Sequence, residues 1–158
     1  MALNSTPHIF QINVSDGGVP KTAVRQAEAT AFGLTGDRHR DLDHHGGPER
    51  ALCLYSLEKI IALQEEGHPI FPGAAGENLT LAGVDWDLFS PGLRLQLGET
   101  VVIEITRFTT PCSSLAPWFI EERIGRISQK QHPGWSRVYA RVMQPGLVCV
   151  GNEVKLLS

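Results

Sequence analysis

Apolar residues gather in short stretches cut at close intervals by glycine or proline, the rhythm of strands joined by turns. The pattern predicts strands over residues 9–14, 24–32, 51–55, 93–97, 100–107, 137–143 and 153–157, all rich in Val, Ile, Leu and Thr. In the sixth of these, Val138, Ala140 and Val142 alternate with Arg137, Tyr139 and Arg141. That alternation predicts one face on the core and one in water. Helical spacing occurs mainly twice. Leu57, Ile60 and Ile61 share a face behind the capping residue Ser56, with Gly67 as the stop, and residues 114–124 form a second candidate around Pro117. No repeat or linker interrupts the chain, so residues 1–158 are expected to form one domain. The expected fold is mainly β, a closed or nearly closed β-barrel with two or three short helices.

Composition narrows the function classes. At 42% hydrophobic and 20% charged the chain has the make-up of a globular protein. Fourteen Lys and Arg against 17 Asp and Glu give a net charge of -3, which argues against nucleic acid as a partner. Without a long apolar run or a basic-then-apolar leader, no membrane association is expected, and the expected location is cytoplasmic. Cys53, Cys112 and Cys149 form no CxxC pair, so neither a disulfide framework nor a zinc or iron–sulfur site is expected from them.

Three segments combine glycine with charged or amide side chains: residues 15–22, 33–50 and 72–83. Such loops bring backbone N–H groups close to anions. Asp37, His39, Asp41, Asp43, His44 and His45 are all possible metal ligands. Their spacing is poor for a closed tetrahedral site, and turn formation or an imidazole that binds substrate or relays protons fits them equally. Among the thiols, Cys112 has the active setting: it follows a strand end and Pro111 and precedes a predicted helix, where a thiol is favoured to ionise. Cys53 and Cys149 read as buried strand residues. Lys21, Arg38, Arg40 and Arg107 offer cations to a phosphate, and Glu77 and Asn78 could orient a polar ring.

The strings GGVPK (17–21), GLTGDRHRDLDHHGGPERA (33–51), PGAAGENLT (72–80), TPCSSL (110–115) and HPGWSRVYARVMQPG (132–146) together resemble the MOSC domain family, named for the C-terminal domain of molybdenum-cofactor sulfurase, in its stand-alone bacterial YiiM-like form. The resemblance implies a strand-rich domain similar to the barrel of pyruvate kinase, binding a molybdopterin-type molybdenum cofactor or its sulfur. It places Cys112 as the metal ligand or sulfur carrier, and Lys21, Arg38, His44, His45, Asn78 and Arg107 around the pocket. Thr22 and Glu28 would hydrogen-bond Lys21 and fix it. The implied activity is reduction of N-hydroxylated bases or amines, with Cys112, His44, His45 and Glu77 as catalytic residues. The alternatives are a persulfide-bearing sulfur carrier supplied by a sulfur donor, and a non-catalytic cofactor-binding protein. No PLP site is expected. A reductase would need a separate electron donor of the ferredoxin or flavodoxin reductase type, because no iron–sulfur motif or dinucleotide fingerprint is present. The chain is expected to act on a small molecule as a monomer or homodimer.

Overall fold

The computed structural model describes residues 6–38 and 47–157. The strands are β1 (His8–Val14), β2 (Thr22–Val24), β3 (Gln26–Thr30), β4 (Gly33–Leu34), β5 (Leu52–Ser56), β6 (Leu79–Ala82), β7 (Arg94–Leu97), β8 (Val101–Phe108), β9 (Val138–Gln144), β10 (Gly146–Cys149) and β11 (Val154–Leu157). Eight of them form one sheet in the order β11-β7-β8-β9-β5-β6-β1-β2, and β10-β3-β4 form a smaller one. All pairs are antiparallel except β5 with β6. These two central strands are buried at every position, as expected of strands covered on both faces.

The expected closed barrel is not formed: the large sheet ends at β11 and β2. The reason lies in β1, whose outer edge is shared. At its start it meets residues 151–154, through the His8–Glu153 bridge and the bonds Ile9 N to Asn152 O (2.9 Å), Gly151 N to Ile9 O (2.8 Å) and Val154 N to Pro7 O (2.9 Å). Further along, Ile12 to Val14 pair with β2 instead. A ladder that would join β11 to β1 therefore stops after one bridge.

The sequence pattern finds most strands but misplaces three features. The predicted strand over 24–32 breaks at Arg25, so that β2 stays on the large sheet while β3 joins the small one. β6 arises inside the glycine-rich segment 72–83, where LTLA reads as the tail of a loop until β5 and β1 flank it. The first helix forms as expected, α1 (Leu57–Glu65), with Ser56 Oγ accepting from Lys59 N at 3.2 Å. It buries Ile60 and Leu63 and leaves Ile61 exposed. The second expected helix does not form. Residues 113–127 make three short 3-10 turns, because Pro117 lacks an N–H and Glu121 and Glu122 take left-handed φ values of 51° and 56°.

Candidate functional site

Strand register builds the site. Cys53 on β5 pairs with Tyr139 on β9, and Tyr139 pairs with Arg107 on β8. Cross-strand partners share a face, and the two-residue repeat adds Tyr55 and Arg137 to it. The face opposite Leu54, Val138 and Ala140 thus carries a polar row, which the sequence pattern assigns to water. All of it but Arg107 is buried instead, with Arg137 at 6% exposure and Tyr139 at 8%. The loop before β6 reaches across, its Ala75 O accepting from Arg137 Nη1 at 2.7 Å. Burial pushes the Tyr139 phenol up to about 12, Cys53 adding to the rise while the Arg137 and Arg50 guanidiniums oppose it. The Cys53 thiol is pushed up to about 11 by the same desolvation, with Arg137 pulling the other way.

The approach to Arg137 is firmly held. Trp135 is sandwiched between Lys59 Nζ (4.1 Å from the ring centre) and Arg126 (3.9 Å), and its carbonyl accepts from Tyr55 Oη at 2.6 Å. Ser136 O accepts from Trp86 Nε1 at 3.0 Å. Backbone pairing continues beyond β8, where Thr109 N donates to Arg137 O at 3.1 Å.

Beside this row lies a buried ion pair. Lys21 Nζ stands 2.6 Å from Asp37 Oδ1, the side chains being 7% and 1% exposed. Asp37 also accepts from Ser15 N at 2.9 Å and from Asn78 Nδ2 at 2.8 Å. Asn78 completes the junction, its Oδ1 accepting from Cys53 N at 3.0 Å. One carboxylate thereby joins the 15–21 loop, the 33–38 segment and the turn into β6. Glu77 is sealed beneath: its Oε2 accepts from Gly73 N (3.0 Å) and Thr80 Oγ1 (2.9 Å), Oε1 has no partner, and burial raises its carboxyl above the ordinary range. As placed, it braces the 73–77 turn rather than facing the surface.

Cys112 is partly exposed and packs against the edge of the core. Its Sγ lies 2.7 Å from Ser114 Oγ, and it precedes a six-residue 3-10 segment rather than the expected helix. It follows Thr109, whose N–H pairs with Arg137 O, by three residues, which ties it to the row above. Among the described residues no three His, Cys, Asp or Glu side chains converge on a metal position. Cys112 is thus a single soft donor on the chain segment that leads away from Arg137's neighbour Thr109.

Other sequence expectations land in different places. Arg107 is exposed on β8 and makes no hydrogen bond or ion pair among the described residues. Arg38 is mostly in solvent, with Nη1 3.4 Å from Asp16. Thr22 Oγ1 donates to Val14 O at 3.3 Å, and Glu28 sits exposed on the small sheet, its N–H bonded to Thr35 Oγ1 at 3.0 Å. Neither bonds Lys21, which Asp37 fixes instead. His44 and His45, with His39, Asp41 and Asp43, lie outside the described residues. Cys149, expected to be buried, is half exposed. The sequence reading did not single out Arg137 or Thr109, and weighed Asp37 only among possible metal ligands whose spacing was poor, not as an ion-pair partner. Arg137 stands in a quoted string, but strict alternation assigned it to solvent.

Comparison with known proteins supplies the family. A family model described as the MOSC domain matches residues 41–155. The chain is 35% identical over 125 residues to YflK of Bacillus subtilis, covering 78% of this chain and 55% of that protein. It is 30% identical over 134 residues to a Gibberella moniliformis protein named as a reductase, covering 82% of this chain and 23% of that one. The chain thus spans about half of the bacterial relative and a quarter of the fungal one. The crystal structure of YiiM from Geobacillus stearothermophilus superposes with a TM-score of 0.74 at 26% identity, covering 96% of this chain and 75% of that chain. With the family model spanning most of its length and the relatives agreeing, this chain belongs to the MOSC domain family and is similar to its bacterial members YflK and YiiM.

Proposed function

We propose that this chain binds a molybdopterin-type cofactor through Cys112 and reduces N-hydroxylated bases or amines, using electrons from a separate donor protein. The observation that carries the reading is a partly exposed thiol three residues beyond Thr109, whose cross-strand neighbour Arg137 is a buried guanidinium. A thiolate is a soft ligand suited to molybdenum held by sulfur. The buried donors Arg137 Nε and Thr109 Oγ1, which have no partner, fit a ligand that carries an anionic group. When bound, the cofactor supplies a two-electron centre able to accept oxygen from an N–O bond.

The chain's own residues then have distinct tasks. Ser114 Oγ, beside Cys112 Sγ, orients the sulfur. The Lys21–Asp37–Asn78 junction holds the surrounding loops in register, and Asn78 fixes β5 behind the site. Proton delivery to the departing oxygen falls to His44 or His45, since the Glu77 carboxyl is enclosed. The name of the fungal relative is consistent with reductase chemistry. The cytoplasm suits an unpaired, reactive thiol.

The test begins with protein purified from cells that make the cofactor. Molybdenum in stoichiometric amount, lost in Cys112→Ser together with reduction of an N-hydroxylated base by a supplied electron donor, is the expected result. Metal-free protein bearing cyanide-releasable sulfur on Cys112 would overturn it in favour of a sulfur carrier.

A further inference from the structure

We infer that Arg137, with Thr109 beside it, is the cradle for a phosphate-type oxyanion, and that Lys21 is not. This deepens the reading above by naming the residues that receive the anionic end of the ligand.

Lys21 is one of the cations, with Arg38, Arg40 and Arg107, that the sequence offers to a phosphate. Its charge is already met by Asp37 at 2.6 Å, with both side chains almost fully buried. A phosphate there would displace a carboxylate that Ser15 and Asn78 also hold. Arg137 is the opposite case. Its guanidinium is equally buried, but what it meets is neutral, the Ala75 carbonyl and the Cys53 thiol. Its Nε has no partner. Glu77, whose carboxyl feels the Arg137 charge, forms no ion pair with it.

Buried guanidinium groups are costly unless a carboxylate or other anion faces them. An orphaned donor on such a group calls for an explanation, and an absent anion supplies one. The second observation is independent. Thr109, the cross-strand neighbour of Arg137, is 3% exposed and its Oγ1 also lacks a partner. Two unsatisfied groups on adjacent strand ends, one a fork-shaped cation and one a hydroxyl, match the donors a phosphate oxygen takes. Thr109 leads through Thr110 and Pro111 to Cys112, so cradle and thiol belong to one stretch of backbone. A ligand anchored at its phosphate by Arg137 and Thr109 would have its far end held near the sulfur.

The probe is inorganic phosphate, titrated by calorimetry and by thermal shift at constant ionic strength. Wild-type protein is expected to bind it and to melt at a higher temperature in its presence. Arg137→Met should weaken binding by about tenfold or more. Its melting temperature without phosphate should stay level or rise, because an uncompensated buried charge has gone. Thr109→Val keeps the shape and removes the hydroxyl, so it tests the cradle even if Arg137→Met folds poorly. It should weaken phosphate binding about fivefold. Absence of binding to the wild type, or unchanged binding in both variants, overturns the inference. Molybdenum content distinguishes the source of the anion. If Arg137→Met loses phosphate binding and molybdenum together, the phosphate is the cofactor's. If phosphate binding is lost while the wild type carries no molybdenum, the cradle stands, the phosphate is a substrate's, and the cofactor reading fails alone.

Discussion

Replacing Lys21 by Met separates a structural cation from a ligand-binding one. The substitution keeps most of the side-chain volume and removes the ammonium that stands 2.6 Å from the Asp37 carboxylate, itself 1% exposed. Removing one partner of a buried pair costs about 3–5 kcal/mol. Asp37 retains the donors Ser15 N and Asn78 Nδ2, so the lower end, about 3 kcal/mol, is expected. For a domain of this size that lowers the melting temperature by about 6–12 °C. Adding Asp37→Asn removes the carboxylate charge while keeping an acceptor for Ser15 N, and should return about half of the loss. Urea unfolding followed by tryptophan fluorescence and circular dichroism gives the free energies, with coincident curves checking two-state behaviour. The reasoning is refuted if Lys21→Met loses less than about 1 kcal/mol, or if the double variant is no more stable than the single one. A Lys21→Met protein that is fully stable yet has lost phosphate binding would return Lys21 to the role the sequence suggested.

Three further perturbations test the neighbourhood. Iodoacetamide at pH 8, mapped by mass spectrometry, should label Cys112 and Cys149 and spare Cys53 until the protein unfolds, since a thiol with a pKa of about 11 is ionised in only about one molecule in a thousand at that pH. Native labelling of Cys53 at the rate of Cys112 would contradict its burial. Glu77 has its folded pKa raised by burial, so its contribution to stability is full at acid pH and falls as pH climbs through and above the ordinary carboxylate range. Glu77→Gln should therefore gain on the wild type between pH 4 and pH 8 in urea titrations, and a constant difference across that range would count against the burial argument. Gly73 has φ of 92°, and a Cβ there would lie 2.6 Å from Lys21 O, whereas Gly151, also at 92°, has open space around it. Gly73→Ala should cost about 3 kcal/mol or more and Gly151→Ala about 1–2 kcal/mol, read from the same unfolding curves; equal losses would mean that the backbone approach at Gly73 is relaxed.

Local sequence carries much of this fold because most strands are flanked by glycine or proline and need no distant partner to be recognised. The helix behind Ser56 is legible for the same reason, its cap and its stop both lying within the segment. What the pattern misses depends on long-range pairing. LTLA becomes a buried strand because β5 and β1 meet it from two sides. The barrel fails to close because β2 and residues 151–154 compete for one edge of β1. Neither fact is written within the segment concerned.

The site follows the same division, and its charges show why. The partial exposure of Cys112 follows from a Pro-Cys-Ser-Ser turn after a strand, although the helix expected behind it does not form. The choice among cations was not legible. Lys21 and Arg137 are alike in type and burial, and differ only in what the fold sets against each. Asp37, sixteen residues from Lys21, meets it across a loop junction. Arg137 meets a carbonyl from a segment 62 residues away. Binding an anion requires a cation whose charge is not already matched, so the decisive property belongs to the pairing and cannot be read from either residue alone. In an alternating strand, a polar residue is assigned to solvent unless another segment is known to cover it. Here the loop that ends in Glu77 and Asn78 supplies the cover, and turns the face expected to be wet into the wall of the site.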